Sequence, residues 1–386
     1  MTVKLPIYLD HHATTPVDPR VVETMLPYFF EKFGNAGSID HQYGAVAADA
    51  VKTARNQCAH ILNARSDEII FTSGATESDN IAILGVAQQY SDKGDHIITC
   101  GTEHKAVLDT CKQLKKNGRE VTFLPVDQFG LIDTDQLESA ITEKTILISI
   151  MAANNEIGTI APITEIGKIA HEHGILFHTD AAQSIGHVPT NVEDMHVDLL
   201  SFSGHKIYGP KGIGGLYIRQ RNPKVKLSPV NFGGGQEKGL RSGTLNVPGI
   251  VGVGAALSIA EKEMKTQERT FRKWTTDMLK AFSDAFPDIL LNGHPTQRLA
   301  HNLNVCFPGI ESKALIHRLK DDIAISSGSA CTTTNVEPSH VLLAIGRTEM
   351  QSHTAVRFGL GRFTNNDEVD YATQSVIHEC KKLKKM

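Results

Sequence analysis

Apolar positions recur along the chain in two rhythms, and the switch from one to the other predicts most of its elements. Ile7-Tyr8-Leu9 reads as a short extended piece, and the chain breaks at Pro16. A 3.6-residue rhythm predicts helices over about 19–30 and over the Ala-rich run 43–62, on either side of a Gly34-Asn35-Ala36-Gly37-Ser38 loop. From Glu68 onward short apolar runs alternate with helical periodicity. Strands are predicted at 68–72, 96–100, 121–124, 146–151, 175–179, 199–201 and 215–218, with helices at 105–116, 134–140 and 163–173 and one opening in Ser73–Asn80 and running to Tyr90. Short apolar strands separated by helices predict an α/β fold with a mainly parallel sheet covered on both faces, and functional loops then gather at the strands' carboxyl ends. After Thr244 the pattern changes to a long helical stretch over 250–286, strands at 289–291 and 302–305, a helix at 313–319, strands near Ile323 and Val356, and a last helix from Asp367. With the N-terminal segment these make a smaller α+β domain. The expected division is 16–260 for the large domain and 1–15 with 261–386 for the small one, with the site between them.

Composition narrows the class. In 386 residues with 40% hydrophobic and 6% aromatic content, Lys and Arg number 39 against 43 Asp and Glu, a net charge of -4. That balance gives no global attraction to nucleic acid or to an anionic membrane. The start, Met-Thr-Val-Lys-Leu-Pro, has no apolar signal segment, and no run approaches the roughly 18 apolar residues of a spanning helix. The expectation is a cytoplasmic protein with no membrane and no direct nucleic-acid partner. Cys58, Cys100, Cys111, Cys306, Cys331 and Cys380 include no Cys-x-x-Cys pair, which argues against zinc ribbons and a disulfide framework. His11-His12 and His171-Glu172-His173 lack the His-Glu-x-x-His spacing, so no metal site is expected.

The densest chemistry lies in Ser201–Gly215, where Lys206 falls on a glycine-rich turn beside Ser203 and His205. A lysine held on irregular backbone that a ligand can approach closely suits imine formation with an aldehyde cofactor such as pyridoxal phosphate. The plain alternative is a solvated surface lysine. A Walker loop is excluded, because neither lysine completes Gly-x-x-x-x-Gly-Lys-Ser/Thr. Strand, glycine turn and helix around Ser73–Asn80 form an anion site, with Thr76 adding a hydroxyl; a side-chain cap at the same place is the alternative. Glu103-His104, Asn154–Gly158 and His178–Gln183 each follow a strand. Separately, His104 and Asp180 read as caps and Asn155 as a turn former. Together they supply a carboxylate to keep a pyridine nitrogen protonated and a histidine to stack on the ring.

These residues carry a resemblance. Tyr8-Leu9-Asp10, Phe71–Asn80, Glu103-His104-Lys105-Ala106-Val107, Asn154–Gly158, Ser201–Gly212, Gly233–Glu237, Arg241–Thr244, Ser326–Cys331 and Val356-Arg357-Phe358 resemble, in order and over nearly the whole chain, the cysteine desulfurases of the NifS/IscS kind in the class V aminotransferase group. The resemblance implies the aspartate aminotransferase-like fold of pyridoxal-phosphate-dependent transferases. It also implies that Lys206 forms the cofactor link, His104 stacks on the ring, Asp180 meets the pyridinium and Gln183 the ring hydroxyl. Ala75, Thr76, Ser203 and His205 would take the phosphate, with Thr244 of the partner subunit in a homodimer. Asn155 and Arg357 would hold the carboxylate of L-cysteine, and Cys331 would take the sulfur as a persulfide and pass it to acceptors such as an iron–sulfur scaffold protein.

Cys331 stands in a run of small residues that suits a mobile loop; composition alone favours a merely exposed loop cysteine, and the resemblance to the family motif reverses that, with Cys111 the next thiol to suspect. The other five cysteines fall on predicted helices or strands as core filler or helix surface. A desulfurase serving transfer-RNA or DNA sulfur modification shares every motif, whereas a selenocysteine lyase or other class V enzyme keeps Lys206 and Asp180 without needing Cys331. His11-His12 and Gly37–Asp40 depart from the family pattern where the resemblance implies the entrance. The sequence stops at Met386 after Lys381-Lys382-Leu383-Lys384-Lys385, where longer members carry residues that help to dock the scaffold, so weaker docking or docking on the basic end is expected.

Overall fold

The computed structural model describes residues 3–327 and 337–385. After β1 (Ile7–Tyr8) come α1 (Pro19–Met25) and α2 (Pro27–Phe30). The sequence rhythm reads these as one helix, but Pro27 brings no N–H to the ladder of α1, so the chain restarts there. α3 (Gln42–Ile61) leads to an alternating run: β2 (Ile69–Thr72), α4 (Ala75–Gln89), β3 (His96–Cys100), α5 (Lys105–Lys116), β4 (Glu120–Leu124), α6 (Thr134–Ser139), β5 (Thr145–Ser149), α7 (Ile163–Glu172), β6 (Leu176–Asp180), β7 (Leu199–Ser203) and β8 (Gly214–Ile218).

The eleven-element run builds a seven-stranded sheet in the order β2-β8-β7-β6-β5-β3-β4. Neighbours from β7 to β4 are parallel. β8 runs against both β7 and β2. Parallel return needs a crossover, and the β7–β8 connection offers only a 3-10 turn at Gly204–Lys206, so the chain comes back antiparallel. β3, β5, β6, β7 and β8 are buried at every position, as continuous apolar strands must be when both faces are covered, while β4 at the edge exposes Glu120. A Cβ on Gly214 would lie 2.4 Å from the Phe202 carbonyl oxygen and 2.7 Å from Gly74 Cα. Glycine is what lets β8 begin against the start of α4.

The remaining elements are α8 (Val247–Ala285), β9 (Leu290–Leu291), β10 (Asn302–Cys306), α9 (Ser312–Leu319), β11 (Ile323–Ala324), α10 (His340–Ala344), α11 (Glu349–Ser352), β12 (Ala355–Gly359) and α12 (Asn366–Leu383). β10 pairs antiparallel with β12 and β9, and β1 pairs with β11. The 39-residue α8 belongs to two apolar cores. Its first part, through Leu257, packs with Phe71, Phe177 and Phe202 on the large sheet. From Phe271 it packs with Trp274, Phe282, Val305 and Phe358, and Ile7 and Leu9 join this second core from the N-terminal segment. Among the described residues no helix is long and apolar enough to cross a membrane.

Candidate active site

Because β2, β3, β5, β6 and β7 point the same way, the loops that follow them meet at one edge of the sheet, and β8 starts there. They enclose a cavity of about 570 Å³ lined by Ala75, Thr76, His104, Asn155, Asp180, Gln183, Ser203, His205, Lys206 and Arg357. Thr244 is not in this lining. It is exposed, in a glycine-rich segment where Phe232 is 82% accessible. Cys331 lies outside the described residues. Among those described, no group of His, Cys, Asp and Glu has the geometry to hold a metal ion.

One end of the cavity is the start of α4. Its N-cap is Gly74, at φ 153°, a conformation that favours glycine, and no side chain caps it. The cap expected as the alternative does not form. Ser73 donates its N–H to the Glu77 carboxylate, and Glu77 is held by Arg241 and Asn231, each at 3.0 Å. The first-turn amides and the positive end of the helix dipole therefore face the cavity without a partner from a cap. Beside them are Ser203 and His205. Burial, with help from Lys206 and Lys211, pushes His205 down to about 4, and its Nδ1 lies 3.1 Å from Thr14 Oγ1.

Asp180, the last residue of β6, supplies the centre. Its Oδ1 accepts the Ala182 N–H at 2.8 Å, so the capping alternative is realised while the residue still lines the cavity. Burial raises its pKa, opposed by that bond and by His104 and Lys206. Behind it, burial and the Asp180 charge raise Asp79 and also Glu103, the latter to about 8. Three carboxyl groups this close share little negative charge. A cation in the cavity would settle that charge on Asp180, which alone of the three lines it.

His104 likewise fills both of its expected places. It is the N-cap of α5, its Nδ1 accepting the Ala106 N–H at 3.1 Å, and it lines the cavity. In the neutral ring this leaves the hydrogen on Nε2. Lys206 sits in the 3-10 turn after β7 and donates to the His12 carbonyl and, at 2.8 Å, to the Ala13 carbonyl. Arg357 on β12 is only 2% accessible; it donates to the Asn155 carbonyl and to Asp10, both at 2.8 Å. Its main chain also takes an N–H bond to the Ser326 carbonyl at 2.7 Å. On the other side of residues 328–336, His340 Nε2 lies 3.1 Å from the Glu103 carbonyl.

Sequence reasoning missed the roles of Asp10, Thr14, Lys211 and His12. Asp10 stands in a quoted motif, but nothing in its spacing links it to Arg357, 347 positions away. His11 and His12, which depart from the family pattern, are both buried; His12 lines the cavity and hydrogen-bonds Gln183, and His11 lines an adjoining pocket that shares Thr14 and Lys211 with it. The cavity as a whole can hold an anionic group at α4, a protonated heterocyclic nitrogen at Asp180 and a carbonyl near Lys206.

Residues 7–372 match the family described as aminotransferase class-V. The chain belongs to the class-V aminotransferase family. Among its relatives is the cysteine desulfurase IscS of Rickettsia bellii, 50% identical over 380 residues, covering 98% of this chain and 92% of that one. A solved NifS-like protein matches at TM-score 0.91 and 37% identity, over 98% of this chain and all (100%) of its own. A structure of SspA in complex with cysteine matches at TM-score 0.80 and 39% identity, over 93% of this chain and 100% of the other. The class-V aminotransferase assignment agrees with the mostly parallel sheet and with a cavity at its carboxyl edge.

Proposed function

We propose that this chain is a pyridoxal-phosphate-dependent cysteine desulfurase that converts L-cysteine to L-alanine, captures the sulfur on Cys331 and passes it to acceptor proteins such as an iron–sulfur scaffold. The observation that carries this reading is the convergence of the uncapped start of α4, Asp180, His104, Lys206 and Arg357 on one cavity. These donors fit the cofactor. Ala75, Thr76, Ser203 and His205 would hold its phosphate, Asp180 its ring nitrogen, Gln183 its ring oxygen and His104 its face, with Lys206 as the linking amine. When bound, it supplies an aldehyde for an amine and an electron sink for bond breaking at the substrate's α-carbon.

The chain's own groups do the rest. Arg357 and Asn155 grip the substrate carboxylate; the guanidinium fork suits it, and Asp10 holds that fork in place. The freed Lys206 amine takes the proton from the α-carbon. His104 has one nitrogen committed to its cap, so it contributes the Nε2–H, which supplies the proton that Cβ gains as the sulfur leaves. The Cys331 thiolate attacks that sulfur, the carbon–sulfur bond breaks, and Cβ is protonated, so cysteine plus thiol becomes alanine plus persulfide. Supporting Cys331 as acceptor, the other five cysteines are buried, and burial pushes the Cys111 thiol up to about 12. Residues on both sides of the 328–336 segment also touch site elements, Ser326 at Arg357 and His340 at Glu103.

The division into domains at 16–260 and 1–15 with 261–386 belongs to the same reading, supported by the passage of α8 from one core to the other between Leu257 and Phe271. So does a homodimer in which Thr244 of the partner subunit completes each phosphate site; exposed Phe29, Phe30, Phe33 and Phe232 support a partner surface. Sedimentation of the cofactor-loaded protein is expected to give a dimer, and a monomer active at the same concentration would refute it. For the reaction, the loaded enzyme with L-cysteine and a reducing thiol is expected to yield equal alanine and sulfide. Cys331→Ala should release neither in quantity. A variant that still turns over selenocysteine or another amino acid would point instead to a lyase or aminotransferase.

A further inference from the structure

Next to Lys206 is a histidine that none of these roles uses. His12 follows β1, is 1% accessible and lines the cavity. Its carbonyl oxygen accepts from Gln183 Nε2 at 3.1 Å. A carbonyl only accepts, so the Gln183 amide must face it with its NH₂ group and turn Oε1 toward the His12 ring, where Oε1 lies 2.9 Å from Nδ1. That oxygen also only accepts. The hydrogen of the ring is therefore on Nδ1.

The ring is neutral and held in plane. Burial, then the charge of Arg357, pushes its pKa well below the ordinary 6.5; Lys206 and His187 act in the same direction. Its Nε2 has no hydrogen-bond partner among the described residues. One face stacks on His301, with centroids 4.5 Å apart and planes at 21°, and His301 stacks in turn on His187 at 4.1 Å and 27°. Burial lowers both of these rings as well, His187 to about 4. His187 Nε2 reaches back to the Lys206 carbonyl at 3.3 Å. Three stacked neutral imidazoles thus brace the backbone of Lys206 and the side chain of Gln183 together.

We infer that His12 is a positioning residue that locks the Gln183 amide in one orientation, leaving its second N–H as the group Gln183 offers to the ring oxygen of the cofactor. The inference rests on the proposed cofactor reading. A donor at that oxygen favours its anionic form and weakens its hold on the neighbouring proton, so the donor lowers the pH at which the bound cofactor changes its visible absorbance.

Three substitutions separate the lock from mere filling. Asn keeps a donor in place of Nδ1–H, Ala removes it, and Asp replaces it with an acceptor that draws the Gln183 NH₂ toward itself. In loaded protein with wild-type circular dichroism, His12→Asn is expected to keep the wild-type absorbance midpoint. His12→Asp is expected to raise it by about one pH unit, the worth of one ordinary hydrogen bond. His12→Ala should shift it in the same direction by less, and if that variant does not fold, the Asn and Asp pair still decides. Equal shifts in Asn and Asp, or none in either, would overturn the lock. The cofactor-free protein provides a second reading: nitrogen-15 shifts of His12 are expected to show a neutral ring protonated at Nδ1, and a proton on Nε2 or a charged ring at neutral pH would overturn it. Protein that never takes up cofactor would refute the proposed function instead, while the His12 tautomer would still decide this inference.

Discussion

Two helices start side by side at the carboxyl edge of the sheet, and they finish their first turns differently. α5, after β3, is closed by its own chain, because His104 accepts from the Ala106 amide. α4, after β2, is left open: Gly74 has no side chain to give, and the one nearby carboxylate, Glu77, is turned back to Ser73 and held by Arg241. Both starts have the same dipole and the same unpaired amides by construction. What makes one a candidate phosphate site is that nothing in the chain satisfies it, while the other spends its amide on the residue proposed to stack on the ring. A helix start is thus read as a site from what fails to cap it.

Separating chemistry from anchorage has the largest expected effect. Lys206→Ala should reduce turnover by at least roughly 1000-fold and leave no borohydride-reducible link, yet still bind cofactor, since the open start of α4 and Asp180 remain. A reducible link in that variant would remove Lys206 from its role. Closing the open start comes next. Thr76→Asp places a carboxylate in the first turn of α4, which should raise the melting temperature of the cofactor-free protein slightly while weakening cofactor affinity at least about 100-fold, because two anions would compete for one helix end. Unchanged affinity would mean that the phosphate lies elsewhere.

The closed start calls for a paired test. His104→Ala should lose about 1 kcal/mol of stability with the cap, and His104→Asn should recover it. Both should lose turnover alike, by roughly 100-fold, since neither has a ring to stack or an Nε2–H to offer. If Asn restored turnover as well, His104 would be a cap and nothing more.

The smallest effect concerns the carboxyl group between these helices. Glu103 is raised from its ordinary 4.5 to about 8, chiefly by burial, so the folded chain holds a proton that the unfolded chain has lost. Stability from this group is then full below pH 4.5 and is lost as pH rises toward about 8. Urea melts of the cofactor-free protein near both ends of that range should differ by on the order of 1–3 kcal/mol from this group, and Glu103→Gln should reduce the total difference without abolishing it, because burial also raises Asp79, Asp180 and Glu156, the last to about 7. The buried histidines oppose it only on the acid side, His187 falling from 6.5 to about 4.

Much of this was legible in the sequence because the strands of the large sheet are uninterrupted apolar runs, and periodicity reads these without tertiary knowledge. The long motifs likewise placed Lys206, Asp180, His104 and Arg357, and all four line the one cavity. Strand direction was harder to read. β8 reverses because its connection is too short for a crossover, a constraint that lies in the loop and not in Gly214–Ile218. Pro27 sits inside the apolar rhythm of 19–30, and periodicity does not register the N–H that proline lacks. The partnerships of His12 with Gln183 and of Asp10 with Arg357 join residues 171 and 347 positions apart, and no local pattern encodes either. The open cap of α4 was undecidable for another reason: Ser73, Thr76 and Glu77 are all capping residue types, and only the folded backbone shows that none of them closes the helix.

The central claim is that sulfur from cysteine passes to Cys331 in this cavity. The most direct measurement is mass spectrometry of the cofactor-loaded protein after reaction with an equivalent of L-cysteine in the absence of reductant, together with alanine analysis. The account predicts one alanine per subunit and the mass of one added sulfur atom on the peptide containing Cys331. Sulfur on another cysteine, or alanine formed with no sulfur on the protein, would contradict it.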